Sequence, residues 1–235
     1  MLAALAGADV RFVVVGGVAV VLHGHPRLTA DLDLAIDLGV GPVGRAMQVL
    51  TGLGLVSRLP VPASAFADPA TRDRWVEERN LMVFTLTDPD GGLLEVDLFA
   101  RSPLPFEALW SHAVTVLVGE TEARIASIED LITMKREAGL PHDLADVAAL
   151  ESNHSVTSSG PTDPDPDEGL PTDLGFEAAR AAQVAHWATT TPAQRLAWLA
   201  EAQRFAHQAG ALPPSRPAAD LESWNEPDEP TPEAL

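Results

Sequence analysis

Between Arg11 and Asp37 the chain sets short apolar runs against sharply spaced polar positions. Arg11 to Val15 is a β-branched run that predicts a short buried strand, and the apolar stretch after Gly16 and Gly17 predicts a helix ended by His23 and Gly24. From Ala30 to Asp37 the alternation is strict. Asp31, Asp33, Ala35 and Asp37 share one face of a strand, and Leu32, Leu34 and Ile36 share the other, which belongs to the core. Before this stretch, Leu2 to Ala6 predicts a lead-in helix closed by Gly7. After it, Pro42 opens a helix reaching about Leu53, with Val43, Met47 and Leu50 on one side. Leu55 to Ala67, interrupted by Pro60 and Pro62, has no deciding period.

Leu81 to Leu86 and Leu93 to Phe99 are apolar runs joined by Thr87-Asp88-Pro89-Asp90-Gly91-Gly92, a hairpin signal. In the second run Leu94, Val96 and Leu98 face one way, and Glu95, Asp97 and Phe99 the other. The polar segment Asp68 to Asn80 carries Arg72, Arg74, Arg79 and Trp75, and two readings stay open. It is a solvated helix or loop beside the site, or a substrate-facing basic patch with an aromatic for stacking. Phe106 to His112 predicts a short helix, and Val114 to Val118 with Glu122 to Ala126 a second hairpin around Gly119. Ser127, with Asp130 three residues on, caps a helix that carries Ile128, Leu131, Ile132, Met134, Lys135 and Arg136 and ends at Gly139. LPHDLADVAAL follows as a second short helix, with Asp143 and Asp146 on one side.

Composition divides what remains. Residues 1–150 form one α/β domain; 151–173, rich in Ser, Pro, Gly and Asp, read as a disordered linker. Two helices are expected over 174–209, the first with Phe176, Val184 and Trp187, the second opened by Thr191-Pro192 with Leu196, Leu199 and Phe205. Residues 210–235 form an acidic, Pro-rich tail. A helical pair of that size needs something to bury its apolar stripes against, either the larger domain or a partner.

Charge and cysteine content narrow the setting. The formal net charge of −19 opposes casual binding to nucleic acid, so an RNA substrate would have to meet a local basic patch. Lys135 is the single lysine among 15 basic residues. The absence of cysteine excludes disulfides and fits a reducing cytoplasm. The apolar N-terminus lacks the basic flank and cleavage site of a signal peptide, and no run is long enough for a membrane span, so a cytoplasmic protein without membrane contact is expected.

The chemistry concentrates in the first stretch. Gly16 and Gly17 let a backbone turn bring free N–H groups close to an anion, which suggests a phosphate seat. Asp31 and Asp33, two residues apart on an open face, can hold hard divalent cations through oxygen ligands.

GGVAVVLHG followed by R-x-T-x-D-x-D-L resembles the nucleotidyltransferase superfamily of the polymerase-beta type, in its branch of AbiEii-like toxins of abortive-infection and toxin–antitoxin systems. IEDLITMKREAGLPHDLADVAAL is similar to the later motifs of that branch, although Leu140 and His142 stand where its members often carry a basic residue. The resemblance implies a minimal nucleotidyltransferase fold, with a mixed β-sheet flanked by helices and a C-terminal α-helical extension. It implies transfer of a nucleoside monophosphate from an NTP to an acceptor hydroxyl, with two Mg²⁺ ions on Asp31, Asp33 and Asp97. Asp97 would be the third carboxylate and the base, Lys135 would neutralise the triphosphate, and Gly16, Gly17, Arg27, Thr29 and Asp143 would complete the nucleotide site. Three such carboxylates repel, so without cations at least one should hold a raised pKa. The implied acceptor is RNA, such as a tRNA 3′ end, with protein and small-molecule acceptors as the alternative.

TPAQRLAWLAEAQRFA is similar to short helical proteins that neighbour such transferases. It implies a fused neutralising, antitoxin-like or regulatory segment, with a scaffold packed on the catalytic domain as the alternative; if the tail covers the acceptor groove as one switch, deleting 151–235 would raise activity. A different class of protein is also open, an idle binding module that keeps the fold and acts through its helical tail.

Overall fold

A computed structural model describes residues 1–89, 95–139, 141–158, 187 and 189–211, with the backbone alone for 141–142 and 152–158. The chain is an α/β protein with a mixed seven-stranded sheet flanked by helices. In order it forms α1 (Leu2–Gly7), β1 (Phe12–Val14), α2 (Gly16–Leu22), β2 (Asp31–Ile36), α3 (Val40–Gly52), β3 (Val56–Ser57), a 3₁₀ turn (Ala63–Ala67) and α4 (Pro69–Arg79). Then come β4 (Val83–Thr87), β5 (Glu95–Phe99), α5 (Phe106–His112), β6 (Val114–Val118), β7 (Thr121–Ile125), α6 (Ile128–Ala138), α7 (Pro141–Ser158) and α8 (Pro192–Gln208).

The sheet order is β3-β4-β5-β2-β1-β7-β6. β2 lies centrally, antiparallel to β1 and parallel to β5, and β1 runs parallel to β7. Leu34, Ile36, Val96 and Leu98 are fully or almost fully buried, as the alternation requires, each contributing about 1.5–3 kcal/mol of burial. Ser127 caps α6 by accepting from the Asp130 N–H at 3.1 Å, and Gly139 ends the helix in the left-handed region.

Two expectations change here. The polar segment 68–80 is helix α4, capped by Asp68, but its tryptophan is no stacking platform. Trp75 is buried and stacks on Phe84 at 5.5 Å, with Phe66 on the same ring at 4.9 Å. Arg72 is buried too, donating to the carbonyls of Phe66 (2.6 Å) and Leu38 (2.8 Å). The substrate-facing patch is thus replaced by a piece of core. Helix α7 runs to Ser158, past the boundary read at Leu150 and into the segment read as linker. The rest of that linker, the turn at 90–94, the expected helix 174–188 apart from Trp187, and nearly all of the tail lie outside the described residues.

Helix α8 matches the expected second helix, opened by a reciprocal capping box between Thr191 and Gln194. It packs on α2 and β6 through Leu196 and the buried Leu199. Among the described residues no helix is long and apolar enough to cross a membrane.

Candidate active site

Strand register assembles the acids. Asp31 lies opposite Glu95 and Asp33 opposite Asp97 on the parallel strands β2 and β5, so the four carboxylates stand on one face. Like charges placed directly opposite destabilise a strand pair, so sheet stability alone does not account for this array. Glu95 is paired with Arg58 at 3.2 Å. Arg58 sits just past β3 and was not singled out from the sequence, because nothing in the stretch 55–67 signals which strand it borders.

The glycine pair serves the acids directly. Gly16 has φ +60°, and a Cβ there would fall inside the Asp33 carboxylate. A Cβ on Gly17 would stand 2.5 Å from Thr29 Oγ1. The Gly17 N–H donates to Asp33. The sequence reading gave these glycines to a phosphate. The structure shows a prior need, the close approach of α2 to Asp33 and Thr29.

Burial, with crowding behind it, raises two of the carboxyls. Burial, and then the charges of Asp97 and Asp31, push Asp33 up to about 7, against the Gly17 hydrogen bond and Lys135. Burial likewise raises Asp97; Asp31 and Glu95 add to it, and a hydrogen bond from Thr85 and the charge of Arg58 oppose it. The expectation that at least one carboxylate carries a raised pKa is met by both. Asp97 Oδ1 is buried with no hydrogen-bond partner among the described residues, a costly state for a carboxylate oxygen.

These features fit a divalent cation. Among the described residues no three His, Asp or Glu side chains gather into a metal cage. Mg²⁺ characteristically takes one or two carboxylates and completes its shell with water and substrate phosphates. An oxygen with open lone pairs beside a second carboxyl on the neighbouring strand supplies that donor set.

A second charged cluster adjoins the first. The Lys135 Nζ, almost fully buried, donates to Asp143 Oδ1 at 2.7 Å and lies 2.6 Å from Asp146 Oδ2. Arg27 donates to the same Asp146 oxygen. Asp146 therefore bridges Lys135 and Arg27, and the structure gathers Arg27, Lys135 and Asp143 into one network through it. That bridge had no sequence signal beyond its spacing from Asp143.

Fold and site together define a class: an α/β protein whose mixed sheet carries four carboxylates in register beside a glycine-opened helix, with a lysine–aspartate–arginine network next to them. No family model matches the chain, and no curated protein matches it.

Proposed function

We propose that the protein is a Mg²⁺-dependent nucleotidyltransferase of the toxin type, moving a nucleoside monophosphate from an NTP to an acceptor hydroxyl. The observation that carries this reading is the Asp33–Asp97 pair: opposed in register, raised in pKa, with an orphaned carboxylate oxygen, beside the Gly16-Gly17 opening of α2. Asp31, Asp33 and Asp97 would hold the metal ions, which when bound neutralise phosphate charge and polarise the α-phosphoryl group. The acceptor oxygen forms a bond to the α-phosphorus, the bond to the β-bridging oxygen breaks, and pyrophosphate leaves. Asp97, on the strand beside Asp33, takes the acceptor proton. Lys135 and Arg27 supply positive charge to the triphosphate, drawing on a network in which Asp143 and Asp146 hold them in place. Gly16 and Gly17 seat the phosphates, and Thr29 packs against Gly17. The protein's contribution is positioning and charge neutralisation.

For the acceptor, the toxin-type reading points to RNA, such as a tRNA 3′ end. A specific observation favours a second reading, a protein or small-molecule acceptor: Arg72 and Trp75 are spent in the core, and the net charge is −19. The test is incubation of the full-length protein with each α-labelled NTP, Mg²⁺ and total cellular RNA, with Asp31→Ala/Asp33→Ala as control. Label on an RNA band that the control loses is the expected result. NTP binding without RNA labelling moves the acceptor to proteins or small molecules. No NTP binding sinks the transferase reading and leaves the idle module.

A further inference from the structure

We propose that helix α8 is a clamp built into the site, with Arg195 and Gln203 as positioning residues that fix the two ends of the loop carrying Arg27 and Thr29. Residues 23–30 join α2 to β2 with no regular structure of their own. At the start of the loop, Arg195 Nη1 donates to the Leu22 carbonyl at 2.5 Å, and its guanidinium lies where a side chain at position 24 would meet it, 3.5 Å from an added Cβ. At the far end, Gln203 Nε2 donates to the Thr29 carbonyl at 2.6 Å.

Helical geometry makes this one device. Arg195, Leu199 and Gln203 are spaced i, i+4, i+8, so they fall on the same face of α8, with the buried Leu199 as the apolar anchor between two hydrogen-bonding ends. Eight residues of helix span about 12 Å, a rigid ruler laid along the loop. Arg195 is itself fixed, since its other nitrogens donate to Thr190 Oγ1 (3.1 Å) and the Trp187 carbonyl (3.0 Å). Trp187 packs edge-on against Trp198 at 5.0 Å.

The loop transmits the position inward. Thr29 is buried, and its side chain lies against Gly17, whose N–H holds Asp33. Arg27 reaches Asp146 and so joins the Lys135 network. Gln203 is thus joined to Asp33 by three contacts, through Thr29 and Gly17. An inhibitory tail would compete for these groups; among the described residues, α8 donates instead to backbone carbonyls at the loop ends. The expected sign of its loss is reversed, because removing the clamp weakens the site. The effect on nucleotide rests on the transferase reading above; the effect on the loop does not.

The test uses full-length Gln203→Met, which keeps shape without a donor, Gln203→Lys, which restores a donor, and Arg195→Met as a second break. Hydrogen exchange of peptides covering 23–30 is read with binding of Mg²⁺-ATP, -GTP, -CTP and -UTP. The expected result for both Met variants is faster exchange in 23–30 and about fivefold weaker binding of whichever nucleotide the wild type takes, with an unchanged melting temperature for Gln203→Met and recovery in Gln203→Lys. Unchanged exchange in 23–30 overturns the clamp. A clamp seen by exchange in a wild type that binds no nucleotide overturns the transferase reading alone.

Discussion

Asp33 is a carboxyl that folding drives toward its neutral form, and this fixes a sign for stability. Its ordinary value of 3.8 becomes about 7 in the fold. Below pH 4 both folded and unfolded chains hold the proton and the group contributes nothing. Between pH 4 and 7 only the folded chain holds it, so stability falls with rising pH, and above 7 the full cost of a buried charge is present. Asp33→Asn keeps an acceptor for the Gly17 N–H and removes that charge. It should stabilise the metal-free protein at pH 8 by on the order of a few kcal/mol, with the gain gone at pH 4. Urea unfolding of both proteins at pH 4, 6 and 8 checks this, and a gain that ignores pH would show that Asp33 is not the group being titrated.

At the scale of elements, α4 separates what a sequence can and cannot show. Its bounds at Asp68 and Asn80 were legible as a polar segment, read as helix or loop, and the structure makes it a helix capped by Asp68. The burial of Trp75 and Arg72 was not legible, because their partners Phe84, Phe66 and the Leu38 carbonyl are brought in by other elements. Trp75→Ala should cost about 3–5 kcal/mol as a core truncation, whereas Arg74→Ala, on the exposed side, should stay within about 0.5 kcal/mol. Chemical denaturation of the two variants decides the matter; equal, small effects would return Trp75 to the surface. Helix α7 shows the opposite failure. SNHSVTS carries no apolar stripe, so it read as linker, yet a helix already anchored by Val147 and Leu150 extends at the cost of one residue per hydrogen bond.

For the whole molecule, β2 was the most legible element, because alternation fixes face, and the face fixes which residues can meet. The Asp33–Asp97 pairing followed once β5 was placed beside β2. What alternation cannot supply is charge compensation from elsewhere, hence the missed Arg58 and the bridging role of Asp146. The assembled face makes a global prediction. Mg²⁺ at millimolar concentration should raise the melting temperature of the wild type at pH 8, more weakly below pH 7 as protons compete at Asp33, and should leave Asp33→Asn nearly unaffected. Differential scanning calorimetry with and without Mg²⁺ reads this, and an equal shift in both proteins would place the cation elsewhere.

The hydrogen bond from Gln203 to Thr29 spans 174 positions in the chain. A ribosome adds about 5–20 residues each second, so roughly 9–35 s separate the synthesis of the two partners. By the last part of that interval the nascent chain possesses every acid of the sheet, yet the loop between α2 and β2 still lacks the hold of Gln203. The order of translation therefore acts as a timer: the last described helix to emerge supplies this hydrogen bond, and a product cut short before residue 203 leaves the ribosome without it.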